Sequence, residues 1–298
     1  MVVAVLGPGG VGGALAARLG LAGHRVLCIA RTDTVAAIAR DGLTLDWRGR
    51  TLAARPEAVE RLTEPVDLLL VTVKRPDLEA ALDRIASDAV RSAVVLPLMN
   101  GLEHVEAIRA HLGRRVAVGS ISRFEAYRVT PTLVVQTTRS GAVTLASDEL
   151  PPEDLERAAV ILSSGGIEVR IGHGERAVLW EKAARIAVLA VTTALTQRSV
   201  GELRADPDWR QTLEAGLAEA CAVATADGVP QTAEAQLAIV DSLPETLTTS
   251  TARDVAAGLP SELDAIAGSI VRAGRRLGVP CPTLEGLIQQ VEETCRAR

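Results

Sequence analysis

Val2-Val3-Ala4-Val5-Leu6-Gly7-Pro8-Gly9-Gly10-Val11-Gly12-Gly13, followed by the alanine- and leucine-rich residues 14–22, is the stretch that decides the fold. An apolar run without alternation, such as Val2 to Leu6, suits a central parallel strand covered on both faces. A glycine turn ends it, and the composition that follows is helical. Residues 24–30 (HRVLCIA) then read as a second strand, which closes a β-α-β unit of the usual ~30 residues. In that setting Gly7, Gly9 and Gly12 have the G-x-G-x-x-G spacing where it carries meaning, directly after a strand and opening a helix. Gly7 allows the tight turn, Gly9 a close approach of backbone to a pyrophosphate, and Gly12 close packing of helix on strand. The free N–H groups of the first helical turn, Gly10 and Val11 among them, favour negative charge. A merely structural turn in some other α/β protein is the competing reading. The expected fold is therefore α/β, beginning with a Rossmann dinucleotide-binding domain in which residues 7–12, Pro8 included, cradle the cofactor.

The end of the second strand sets which dinucleotide such a unit takes. An NAD-selective site places Asp or Glu there for the ribose 2′-hydroxyl. This chain has Ala30-Arg31-Thr32. An arginine pairs with a 2′-phosphate and lays its planar group on adenine, and the Thr32 hydroxyl adds a hydrogen bond. NADP(H) is the expected cofactor, with Arg31 as the discriminating residue. Against this stand the nearby Asp33 and the plainer role of a solvated arginine at a helix start.

Working outward, residues 67–73 (DLLLVTV) and 93–98 (AVVLPL) are two more strands of the buried type, and residues 32–40 and 76–89 have the charge spacing of crossover helices. Between residues 115 and 146 short β-rich runs separated by turn residues suggest an antiparallel extension of the sheet. A helix over 151–163 and a strand over 167–171 follow. Beyond Gly172-His173-Gly174 the pattern is helical, over 176–197, 207–227, 232–243, 261–277 and 283–298. A strand-rich part followed by a helical part predicts two domains, a Rossmann domain over 1–172 and an all-α domain over 173–298.

Composition narrows the function. Aromatics make up 2% of the chain and the formal net charge is −5, so stacking platforms and attraction to a phosphate backbone are both missing. Nucleic acid is not an expected partner. Cys28, Cys221, Cys281 and Cys295 are scattered without metal-ligand spacing and read as free thiols. The opening residues lack a basic segment and break at the glycines, unlike a signal peptide. The charge-free run 186–195 falls short of the ~20 residues that span a bilayer. The expectation is a cytoplasmic protein with no membrane partner and no bound metal.

The histidines make poor general acids: His24 lies in a turn, His104 and His111 on one surface helix, His173 in a loop. Lys182 is different. It sits in Trp180-Glu181-Lys182-Ala183-Ala184-Arg185, at the mouth of the charge-free run. Partial desolvation there lowers a lysine's pKa toward the range useful for proton donation. Composition alone leaves two readings open, a proton donor or a cation snorkelling at a domain edge.

Short pieces along the chain, in order, carry a resemblance. They are the glycine turn and Arg31, Val71-Thr72-Val73-Lys74, Met99-Asn100-Gly101-Leu102, Trp180-Glu181-Lys182, Gly201-Glu202-Leu203, Thr248-Thr249-Ser250 and Ser261-Glu262-Leu263-Asp264. On these residues the chain resembles the ketopantoate reductase (2-dehydropantoate 2-reductase) family. The resemblance implies NADPH-dependent reduction of a 2-oxo acid, ketopantoate to pantoate, as in pantothenate biosynthesis. It implies that Lys182 is the catalytic lysine, which donates the proton and orients the ketone, and that Glu262 binds the substrate's hydroxyl side and supports the lysine. It places Asn100 near both nicotinamide and ketone, Lys74 beside the cofactor, and Ser250 on the substrate carboxylate. By itself Glu262 reads as part of a capping box begun by Ser261, and Asn100-Gly101 as a turn.

One departure matters. The family's lysine helix carries asparagines four and eight residues after the lysine, where this chain has Ile186 and Ala190. Arg185 is a candidate carboxylate anchor in compensation. Two other functions stay open: reduction of a different, less polar ketone or imine, and a non-catalytic NADPH-binding sensor. The Ala-, Gly- and Leu-rich helices would also permit a homodimer through the helical domain.

Overall fold

The computed structural model describes residues 1–296; residues 297 and 298, which the sequence places at the end of the last helix, lie outside the described residues. The chain divides into two compact units, residues 1–99 with 104–178, and residues 100–103 with 179–298.

Unit one grows from the opening run. Strands β1 (Val2–Leu6) and β2 (Arg25–Ile29) flank helix α1 (Gly10–Leu21). Val3 to Leu6 are at most 1% exposed, which is why the strand reads as continuous rather than alternating. Helix α2 (Thr32–Asp41) leads into strands β3 (Leu43–Trp47), β4 (Arg50–Ala54), β5 (Glu57–Val59) and β6 (Leu68–Val71). Helix α3 (Leu78–Leu82) and strand β7 (Val94–Pro97) follow. All pairings in the main sheet are parallel, in the order β5-β2-β1-β6-β7. From β1 the chain winds to one side and then returns to the other, so the strand order reverses beside β1. Open parallel sheets bind ligands outside the carboxyl ends of the strands at such a switch point, and the glycine turn leaves from there.

The remainder of unit one comprises α4 (His104–Leu112), β8 (Val118–Ser122), β9 (Ala126–Thr130), β10 (Leu133–Gln136), β11 (Ala142–Ala146), α5 (Pro152–Ser164) and β12 (Glu168–Ile171). The expected antiparallel pairing is present, β9 against β10 and β8 against β11, but not as an extension of one sheet. These strands build two further sheets, β4-β3-β10-β9 and β12-β11-β8, in which β10 runs parallel to β3 and β12 parallel to β11. The β3–β4 hairpin, which gave no signal in the sequence, supplies the edge that β10 takes. The crossover helix expected over 76–89 is also broken up. Only α3 is α-helical there, because Leu62 pairs with the backbone of Arg84 and Ala86 (2.8 and 2.9 Å) and draws that segment into a bridge. His104, expected on a surface helix, is 1% exposed.

Unit two is helical. Helix α6 (Glu175–Thr196) enters it from its second turn onward and is followed by α7 (Val200–Ala205), α8 (Pro207–Ala226), α9 (Ala233–Ser242), α10 (Ser250–Ala256), α11 (Ser269–Leu277) and α12 (Pro282–Arg296). Ala187 to Val191 are at most 1% exposed, so α6 is the axis around which the others pack. A Cβ on Gly216 of α8 would lie 3.2 Å from both Val188 methyls, so the glycine lets the two helices approach closely. Asp264 to Gly268, just ahead of α11, form a π-helical turn. No helix among the described residues is long and apolar enough to cross a membrane. Cys28, Cys221 and Cys281 are buried free thiols and Cys295 is an exposed one.

Candidate functional site

In unit one the glycine turn has the shape its spacing implies. Gly7 has φ +86°, and a Cβ there would lie 2.4 Å from the Val73 side chain. A Cβ on Gly12 would lie 2.2 Å from Thr72 Oγ1 and 2.4 Å from the Gly7 carbonyl oxygen. Thr72 locks the turn by donating to the carbonyls of Leu6 and Gly7 (3.1 and 2.8 Å). Gly9 behaves otherwise: a Cβ there would meet open space, with its nearest neighbour, the Gly7 oxygen, at 4.0 Å. Gly9 is the N-cap of α1 and has no side chain to occupy the helix's free N–H groups. The cradle is thus open where a pyrophosphate would lie and closed by packing elsewhere, which fits a dinucleotide. Gly10 is packed from another side, since a Cβ would lie 2.2 Å from the Ala126 carbonyl oxygen.

Arg31 stands at the N-cap of α2, with its side chain 76% exposed and Thr32 exposed beside it. Its Nη2 donates to Asp77 Oδ1 at 2.6 Å. Lys74 is exposed at the start of the short turn of helix that carries Asp77. The exposed Arg31 guanidinium thus already has an acidic partner.

In unit two Lys182 lies on α6 and is largely withdrawn from water. Its amine is pulled down from 10.5 to about 8, first by burial and second by the Arg185 charge, while Glu262 and Glu181 push the other way. The structure therefore brings Lys182 and Glu262 together, although 80 residues separate them in sequence. Glu262 does not sit in a capping box: the helical turn after it begins at Asp264, with Leu263 as an N-cap that makes no side-chain cap bond. Asn100, half-buried, joins the same unit through its neighbour Gly101. Gly101 has φ +93°, and a Cβ there would lie 2.1 Å from the Ala265 carbonyl oxygen, so the Asn100-Gly101 turn rests directly on the π turn that follows Glu262. π turns recur at functional sites because the extra residue re-aims its neighbours.

Arg185 is half-buried rather than solvated, and its Nη1 donates to Gln236 Oε1 at 2.6 Å. Ile186 packs against the helical core and Ala190 is fully buried. Ser250 is exposed at the first position of α10. Its neighbour Thr249 caps that helix and shares a 2.7 Å hydrogen bond with Thr193 of α6. Gln236 and Thr193 escaped the sequence reading, since nothing but a polar residue in an apolar stretch marks them. No metal-holding cluster occurs among the described residues.

The sequence model of the family described as ketopantoate reductase PanE/ApbA matches residues 3–149, and that of its C-terminal domain matches residues 176–294. The chain is 28% identical over 300 residues to the 2-dehydropantoate 2-reductase of Vibrio cholerae, covering 98% of this chain and 97% of the relative. A ketopantoate reductase structure from Ralstonia eutropha superposes with a TM-score of 0.86 at 29% identity, over 99% of this chain and 100% of that one. A D-mandelate dehydrogenase solved with NADH and anilino(oxo)acetate gives a TM-score of 0.90 over 100% and 99% of the two chains; at 22% identity the likeness is one of fold.

Proposed function

The chain belongs to the ketopantoate reductase family, and is thereby an oxidoreductase; from that premise we propose that it reduces the ketone of a 2-oxo acid with NADPH, Lys182 giving the proton. The observation that carries this reading is the Lys182 amine, buried beside Glu262 and brought down to about 8. A lysine so tuned is mostly protonated at neutral pH yet releases its proton readily, the balance a general acid needs. The bound dinucleotide supplies the hydride. As negative charge gathers on the ketone oxygen, Lys182 Nζ passes its proton there and is left neutral until solvent recharges it. Glu262 steadies the ammonium before transfer. Asn100 offers its amide to the same oxygen, and Arg185 and Ser250 take the carboxylate. On the nucleotide side residues 7–12 accept the pyrophosphate, Arg31 and Thr32 the 2′-phosphate, and Lys74 lies alongside.

Ketopantoate is the first substrate to try. A second reading, an apolar 2-oxo acid, other ketone or imine, is favoured by Ile186 and the fully buried Ala190, which offer no polar contact. Two missing hydrogen bonds at about 0.5–1.5 kcal/mol each would lower specificity for a hydroxylated substrate by roughly 5- to 150-fold. NADPH oxidation is measured with ketopantoate, a panel of apolar 2-oxo acids, and imines. Turnover of 2-oxo acids is expected, and a strong preference for ketopantoate would retire the second reading. No oxidation with any carbonyl compound would leave a non-catalytic NADPH sensor.

The coenzyme has its own prediction. Arg31→Ala raises the KM for NADPH by about 10- to 100-fold, the worth of a charge-assisted hydrogen bond, and changes the KM for NADH only slightly. Asp77→Asn does the reverse on a smaller scale, about fivefold at most, because the 2′-phosphate no longer competes with a carboxylate for Arg31 in an exposed pair. Equal effects on both coenzymes would show that Arg31 does not read the 2′-phosphate.

A further inference from the structure

Arg185 is a half-buried guanidinium that hydrogen-bonds no carboxylate among the described residues. Its hydrogen bonds run to neutral acceptors, Gln236 Oε1 at 2.6 Å and, weakly, the Glu181 carbonyl at 3.5 Å. Gln236 is itself buried, at 7% exposure. Its orientation is fixed from behind: Gln236 Nε2 donates to Gln231 Oε1 at 3.1 Å, and Gln231 Nε2 donates to the Trp180 carbonyl at 2.8 Å. A backbone carbonyl can only accept, so each amide in the relay has one possible direction and Gln236 can present only its oxygen to Arg185. A neutral amide orients the guanidinium without cancelling its charge, whereas a carboxylate would consume it. Arg185 lies three residues from Lys182, on the same side of α6, and its charge is felt at the lysine amine. Two cations share one helix face, and one of them hydrogen-bonds only neutral acceptors, with the Glu181 carboxylate acting on it as a nearby charge and not as a bonded partner; an anion is welcome there.

We infer that Gln236, backed by Gln231, is a positioning residue that holds Arg185 as an uncancelled cation for the carboxylate of the substrate. The inference rests on the reading of the substrate as a 2-oxo acid, and the probe is therefore oxamate, an unreactive analogue that needs no turnover. Oxamate binding in the presence of NADP+ is measured by calorimetry, together with KM, kcat and Tm, for the wild type, Gln236→Glu and Gln236→Met. Gln236→Glu raises the oxamate Kd and the 2-oxo acid KM by about tenfold or more, with the NADPH KM little changed. It also moves the alkaline limb of the kcat/KM profile, which reports the enzyme before this substrate binds, upward. The groups acting on Lys182 are Arg185 and Glu181 from α6 and Glu262 from ahead of α11, and a carboxylate on Arg185 cancels the first of these. Gln236→Met, which loses orientation but adds no charge, raises KM by less and leaves the limb in place. If Gln236→Glu does not fold, the rise in KM without loss of kcat in Gln236→Met carries the test. Oxamate binding that ignores residue 236, or no oxamate binding by the wild type, overturns the inference; the former with normal turnover leaves the reductase reading intact. Gln236-dependent oxamate binding with no turnover of any 2-oxo acid keeps the anion site and removes the reductase.

Discussion

Lys182→Met abolishes turnover and leaves the protein at least as stable at neutral pH as the parent. Loss of a positioned general acid costs about 10²–10⁴ in kcat, while NADPH binding, proposed for the glycine turn of unit one, is expected to stay as before. The stability half follows from linkage. The lysine falls from 10.5 in the unfolded chain to about 8 in the folded one. The folded state therefore binds the proton less well, and the penalty is present in full below pH 8. It fades as pH rises from 8 to 10.5, where neither state holds the proton. Methionine has similar length and no charge to desolvate, so up to about 3 kcal/mol of penalty is removed at pH 7. Glu262, left without this cation, takes back part of it. Melting curves of both proteins at pH 7 and pH 10 check the claim, since the difference must shrink at the higher pH. A variant that melts well below the parent at both values, or retains more than a tenth of kcat, contradicts it.

Gly101→Ala is the change with the largest structural effect. Its Cβ would sit 2.1 Å from the Ala265 carbonyl oxygen, in a backbone conformation with φ +93°. Left-handed backbone costs an alanine about 1–2 kcal/mol, and overpacking against rigid backbone another 1–3. The sum, about 2–5 kcal/mol, lowers Tm by roughly 4–20 °C for a unit of this size. Relief requires the Asn100 turn to lift off the π turn after Glu262, so kcat/KM falls together with Tm. Gly113→Ala is the control: its φ is +90°, but a Cβ there meets nothing within 4 Å. It carries the conformational cost alone and keeps full activity. Equal loss of activity in the two variants would mean that the contact between residues 101 and 265 does not position Asn100.

The parts of this molecule that were legible in its sequence are those fixed by neighbours in the chain. Val2 to Leu6 and the glycines after it needed only local pattern, because a strand buried on both faces is apolar throughout and a phosphate turn needs its glycines at set places. The β3–β4 hairpin is half-exposed and its place in the fold depends on β10, some eighty residues on, so no local pattern announced it. The broken helix over 76–89 failed for the same reason, since Leu62 decides it from outside. Lys182 stood out as a charge at the head of an apolar run. That Glu262 lies beside it followed only from the family likeness, and its own neighbourhood suggested a helix cap that the structure does not contain. Arg185 was legible as a cation, but its neutral support, Gln236, lies three helices further along the chain, on α9, and bears no mark of its role.

The central claim is that the ammonium of residue 182 gives up its proton as the ketone is reduced. The pH dependence of kcat/KM for the 2-oxo acid, which reports the groups of the enzyme before this substrate binds, tests it most directly. The account predicts a kcat/KM that is level from pH 6 to 7 and falls about tenfold per unit above a midpoint near 8, the value to which burial and Arg185 bring the amine. A kcat/KM that stays level to pH 10 would contradict it.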